Sequence, residues 1–246
     1  MRKIVFSILL LVSTQIMANL PEGFVYVRDI DPTIKESIRY TTEENFVGAP
    51  IKGYVQPKAI LTKEAAIALS KVQQELLREG YSLVIYDAYR PQQAVDHFVV
   101  WGADVKDDKT KEVYYPRISK KDVFEQHYVA PKSTHTRGST MDVTIISTNA
   151  SLKSMDEMVV EKRTLKDGLN VLYLNDGTVD MGTSFDLFDQ ASHPNSVIVE
   201  QKYLDNRNYL QVKMEEQGFE VHHSEWWHFT LKNEPFPDTY FNFVVE

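Results

Sequence analysis

The stretch Ser133-Thr-His-Thr-Arg-Gly-Ser-Thr-Met-Asp142 constrains this chain more than any other. It offers an imidazole, His135, and a carboxylate, Asp142, two ligand types that zinc accepts. In one straight strand the two would lie roughly 23 Å apart, at about 3.3 Å per residue. Both reach one metal only if the chain folds back between them, and Gly138 supplies the freedom for that turn. Beyond it, Thr140, Asp142 and Thr144 alternate with Met141, Val143 and Ile145, which predicts a strand with Asp142 on its polar face. A tetrahedral site needs a third protein donor. Ser224-Glu225-Trp226-Trp227-His228, near the end of the chain, offers a candidate.

Helices and strands are predicted around that stretch. Residues 62–80 read as a helix capped by Thr62 and ended by Gly80, with Ala65, Leu69, Val72 and Leu76 as its apolar stripe. Residues 82–86 read as a buried strand that delivers Asp87, Tyr89 and Arg90 at its end. Pro91 suits the first turn of a second helix, through Val95, Phe98 and Trp101. Residues 104–121 are charged and predicted exposed, with Tyr114 and Tyr115 packing at a rim. Residues 147–179 read as surface decoration, with a hairpin around Asn175-Asp176-Gly177. A helix over 197–217 and two short strands, 219–222 and 226–231, close the chain. His127 reads as structural. His222 and His223 are adjacent, so a strand would turn at most one of them inward.

Charge and cysteine count narrow the function classes. With 27 basic against 35 acidic residues there is no basic footprint for nucleic acid or an anionic membrane. The absence of cysteine removes disulfides, thiolate metal sites and cysteine nucleophiles together. Arg2 and Lys3 precede an apolar run over residues 4–12 and small residues up to Ala18, the order of a secretory signal. Residues 1–18 are thus expected to be a signal peptide, leaving an exported, periplasmic protein over residues 19–246. That run is too short to span a membrane comfortably, and no stable anchor is expected after cleavage.

Taken in order, the motifs resemble the zinc D-Ala-D-Ala dipeptidases of the vancomycin-resistance type, a branch of the D,D-peptidase metallohydrolases. The resemblance rests on His135 with Asp142 and Glu225 with His228. It also takes in Tyr86-Asp87-Ala88-Tyr89-Arg90-Pro91, Met181-Gly-Thr-Ser-Phe-Asp186 and Tyr240-Phe-Asn-Phe243, and extends from about Tyr40 to the C-terminus. It implies an α+β domain with a central, mainly antiparallel sheet flanked by helices and a zinc site in a cleft on the sheet. One zinc per chain would be held by His135, Asp142 and His228, with one position open for water. By the same resemblance Glu225 is the general base and Arg90 stabilises the oxyanion. From charge alone, Arg90 reads as a surface residue paired with Asp87 or capping a helix. Asp186 and Tyr40 suit the substrate ammonium, and Ser133 and Thr134 hydrogen-bond the substrate. Tyr54 reads evenly as substrate contact or packing. The expected substrate is the small dipeptide D-Ala-D-Ala. The alternatives are a D,D-carboxypeptidase on peptidoglycan stem peptides and a non-catalytic cell-wall-binding protein.

Overall fold

Strand register decides where the polar residues of this chain meet. The computed structural model describes residues 20–246, so the signal segment expected over residues 1–18 lies outside the described residues. The chain enters through β1 (Phe24–Tyr26), a helical turn α1 (Val27–Ile30) and β2 (Lys35–Glu36), and β3 (Ile60–Thr62) returns antiparallel to β1. The apolar stripe becomes α2 (Lys63–Arg78), with Ala65, Leu69, Val72 and Leu76 fully buried. Gly80 breaks it at φ +85°, a left-handed turn that costs little without a Cβ. Thr62 departs from expectation. Its hydroxyl pairs with Ser139 Oγ at 2.6 Å and does not cap the helix, because the ribbon pulls Thr62 N onto the Gly138 carbonyl at 2.7 Å.

β4 (Tyr81–Asp87) leads through Pro91 into α3 (Gln92–Ala103), followed by two short helices, α4 (Lys111–Tyr114) and α5 (Lys120–Glu125). Tyr114 and Tyr115 do not pack at a rim. Both are buried, and Tyr115 meets Trp101 edge-on at 5.5 Å, so this charged segment anchors itself with aromatic rings. β5 (Thr140–Ser147) precedes a hairpin of β6 (Val159–Thr164) and β7 (Asn170–Asn175). Its turn runs through Lys166, Asp167 and Gly168, with Gly168 at φ +83°, not through Asn175-Asp176-Gly177 as expected. Asp176 instead directly follows β7 and turns inward to an ion pair with Arg39. The last helix, α6 (Gln201–Glu216), starts later than expected, because residues 197–199 form a turn and bend that places Val199 in a buried cluster with Leu165, Val171 and Leu187.

A five-stranded sheet forms the centre, in the order β2-β4-β5-β9-β8, where β8 is Phe219–Val221 and β9 is His228–Leu231. Among the described residues of this sheet only the β2–β4 pairing is parallel. α2 packs on β4 and α6, and α6 packs on β8, so the α+β, mainly antiparallel expectation holds. The polar face of β5 is not wet. Thr140, Asp142 and Thr144 are all buried, and Asp142 lines one cavity with residues from distant segments, Tyr40, Asp186 and Glu225 among them. A register shift between Ile85 and Asp87 sets Asp87 opposite Asp142, and Asp142 is opposite His228.

Candidate active site

Residues directly opposite on neighbouring strands project from the same face, so this register lines up Asp87, Asp142 and His228. His135 arrives from a 3-10 turn, Thr134–Arg137, closed by Gly138 at φ +86°. A Cβ on Gly138 would also come within 2.2 Å of the Phe24 ring, so the fold-back needs glycine for its angle and for its space.

Three donor atoms converge. His135 Nε2 and His228 Nδ1 each lie 3.3 Å from Asp142 Oδ1, and 3.3 Å from one another. His135 Nδ1 is 2.8 Å from the Ala88 carbonyl, a contact that only an N–H satisfies, so Nε2 keeps its lone pair towards Asp142. Among the described residues Asp142 Oδ1 is buried without a hydrogen-bond partner. Three donor atoms converging on one buried point call for a cation, and two imidazoles with one carboxylate fit a divalent ion. The electrostatics agree. Burial pulls the His228 pKa down, but Asp142 and Glu225 outweigh burial and hold it at about 9. Burial alone would raise Asp142, yet His135 and His228 hold it well below the usual carboxylate range. The pocket favours positive charge at this point.

Arg90 pairs with Asp87, as its charge suggests, but it is not a surface residue. Its NH2 pairs with Asp87 Oδ2 at 2.8 Å, and the same atom lies 3.6 Å from Asp142 while the side chain lines the cavity. Tyr54 donates to the other oxygen of Asp87 at 2.6 Å. It is not among the residues that line the cavity, and its hydroxyl holds Asp87. Glu225 sits 3.3 Å from His228 Nδ1 through Oε2, in the tight turn before β9. Across the cavity Asp186 is buried at φ +62° and accepts from Tyr40 Oη at 2.9 Å. Burial raises the Asp186 pKa well above the ordinary carboxylate value, Asp142 adds to this and Arg90 opposes it. Burial likewise raises Tyr40, so its phenol stays protonated and donates.

The Ser133 hydroxyl accepts from His135 N at 3.3 Å, Thr134 Oγ1 lies 3.2 Å from His228 Nε2, and both residues line the cavity. The cavity measures about 190 Å³, and Phe46, Phe98 and Phe188, all buried, wall it. Sequence reading missed these three rings, because an aromatic that packs and one that shapes a pocket have the same local pattern. It also missed that Asp87 is the shared anchor of Arg90 and Tyr54, which only the register shift discloses. His127, read as structural, is exposed and lines the cavity at φ +61°. His222 lines it too, with its pKa pulled down to about 4 by burial, whereas His223 is exposed.

Dialysed variants separate these imidazoles. His135→Ala, Asp142→Ala and His228→Ala should each lose bound metal, whereas His222→Ala and His223→Ala should keep it. Full metal occupancy in His228→Ala, read by atomic absorption, would overturn the grouping.

A buried cation-seeking donor set beside a carboxylate and a guanidinium is the equipment with which metallohydrolases cleave amide bonds. Comparison with known proteins makes that class specific. The chain belongs to the peptidase M15 family described as D-ala-D-ala dipeptidase, which matches residues 21–160 and 168–246. It is 36% identical over 227 residues to a D-alanyl-D-alanine dipeptidase of Enterococcus faecalis, covering 92% of this chain and 100% of that protein. A protein of the same description from Streptomyces coelicolor is 34% identical over 223 residues, covering 90% and 98%. One from Escherichia coli is 28% identical over 202 residues, covering 82% and 81%. The chain is a hydrolase, a metal-dependent dipeptidase.

Proposed function

We propose that this enzyme hydrolyses D-Ala-D-Ala to two molecules of D-alanine, with one zinc ion per chain held by His135, Asp142 and His228. When bound, zinc supplies Lewis acidity, polarising a carbonyl and bringing the pKa of water towards about 7. Glu225 takes a proton from the attacking water as the new C–O bond forms, and returns it to the amine as the C–N bond breaks. Arg90 offers permanently charged N–H donors to the oxyanion that develops meanwhile. Asp87 and Tyr54 keep that guanidinium from swinging away. Asp186, oriented by Tyr40, takes the substrate ammonium, and Ser133 and Thr134 hydrogen-bond the substrate beside the metal group.

One observation carries the dipeptide reading. A buried carboxylate stands in a small cavity walled by aromatic rings, opposite the metal group. A free ammonium matches a buried carboxylate. The neutral amide of a longer stem peptide would bring that buried carboxylate no counter-charge. The zinc-loaded enzyme should therefore cleave D-Ala-D-Ala and leave a pentapeptide ending in D-Ala-D-Ala intact. Release of D-Ala from the pentapeptide at a comparable rate would favour the D,D-carboxypeptidase reading.

The basic, apolar and small-residue order of residues 1–18 supports an exported, periplasmic enzyme of cell-wall dipeptide processing. Among the described residues no helix is long and apolar enough to cross a membrane. N-terminal sequencing of the exported chain should start at Asn19; a retained leader would count against export.

A further inference from the structure

Behind the Tyr40–Asp186 wall lies a second buried polar cluster that the chemistry above does not use. Arg39, almost fully buried, donates from NH2 to Asp176 Oδ2 at 2.6 Å, and Tyr86 Oη donates to the same oxygen at 2.6 Å. The guanidinium also lies over the Tyr86 ring, 4.9 Å from its centroid. Asp176 Oδ1 accepts from Thr178 N at 3.1 Å and Thr178 Oγ1 at 2.6 Å, so both carboxylate oxygens are engaged. Arg39 Nε has no partner among the described residues. The pair is therefore only partly compensated for its burial, and hydrophobic residues would fill the same space at less cost.

The neighbours of this cluster suggest what it is for. Arg39 immediately precedes Tyr40 in one 3-10 turn, Arg39–Thr41. Tyr86 stacks on Phe185 at 4.6 Å with the ring planes 16° apart, and Phe185 immediately precedes Asp186. Ser184, one residue earlier, accepts from Leu174 N of β7 at 2.7 Å. Both members of the cavity pair thus hang from the same buried knot, one on each side. Asp186 sits at φ +62°, a left-handed conformation uncommon outside glycine, though more open to Asp and Asn than to other residues. Asp176, at the end of the β6–β7 hairpin, ties the knot across 137 residues of sequence.

We propose that Asp176, with Arg39 and Tyr86, is a positioning device for ammonium recognition: it fixes the spacing of Tyr40 and Asp186, and through it the β6–β7 hairpin braces the substrate-recognition wall. The inference rests on Asp186 receiving the substrate ammonium. Displacing a binding group by an ångström is enough to cost about a hundredfold in rate, so a brace of this kind acts on recognition without touching substrate.

The test compares kcat/KM for D-Ala-D-Ala with that for D-lactyl-D-Ala, in which a hydroxyl replaces the ammonium. In Asp176→Asn the value for the free dipeptide should fall about tenfold to a hundredfold through KM, with metal content and D-lactyl-D-Ala cleavage unchanged. Tyr86→Phe removes one hydrogen bond while keeping the ring stack, and should shift the ratio the same way by a smaller factor. It decides the matter if Asp176→Asn does not fold. Arg39→Lys, which keeps a cation opposite Asp176, should preserve more of the discrimination than Arg39→Ala. A lowered melting temperature with an unchanged substrate ratio in the folded variants would overturn the brace and leave the cluster as packing. A wild-type enzyme that cleaves both substrates equally would overturn the Asp186 reading, and the brace with it.

Discussion

Glu225→Gln should keep its metal and lose about 10²–10⁴-fold in kcat, the usual worth of a positioned proton acceptor. The amide has the size of the carboxylate but cannot accept a proton at neutral pH. It therefore removes the shuttle and leaves the shape of the site. The carboxylate is held by its backbone: Glu225 N donates to the His222 carbonyl, and His228 N donates to the Glu225 carbonyl, both at 3.4 Å. The next residue, Trp226, is pinned by its indole N–H to Thr183 Oγ1 at 2.9 Å. None of these contacts involves the side-chain oxygens, so the substitution leaves the turn in place. Metal retention is expected because the three converging donors come from His135, Asp142 and His228. Near-normal turnover in the metal-loaded variant would remove Glu225 from the proton path. Loss of metal would make it a ligand.

Whereas His228 as third donor followed only from the resemblance of the motifs, the meeting of His135 and Asp142 was legible from local features, a glycine turn and a period-two strand. The helix at α2 was legible for the same reason, as its apolar stripe needs no knowledge of the sheet. What could not be read were contacts fixed by register or by distant pairing. Asp176 looked like a turn residue, since Asn-Asp-Gly is turn chemistry, but a carboxylate facing a buried guanidinium from residue 39 turns inward instead. Tyr114 and Tyr115 looked peripheral because their neighbours are charged, whereas aromatic area on one side of a short helix is enough to bury it. Thr62 occupied the right position for a cap but found Ser139 across the ribbon first. In each case a local propensity lost to a tertiary partner that no sequence window contains.

Replacing the substrate's ammonium should cost the wild-type enzyme far more than it costs Asp186→Asn. The Asp186 carboxylate is buried, and burial together with the charge of Asp142 works against its ionisation. An arriving ammonium supplies the missing counter-charge, so binding energy is gained at this position only by a substrate that carries a cation there. D-Lactyl-D-Ala brings a neutral hydroxyl of nearly the same size, which isolates charge from shape. Losing a charged partner in a desolvated site costs on the order of 2–5 kcal/mol, so kcat/KM should fall by about thirtyfold or more. Asparagine is a suitable probe because it tolerates left-handed backbone and can occupy φ +62° without new strain. Its amide oxygen can still accept from Tyr40, so the wall keeps its shape while the charge is gone. The variant should therefore cleave the free dipeptide poorly and show a much smaller gap between the two substrates. An undiminished gap in Asp186→Asn would mean that the ammonium is read elsewhere in the cavity, and would leave Asp186 as a support for Tyr40.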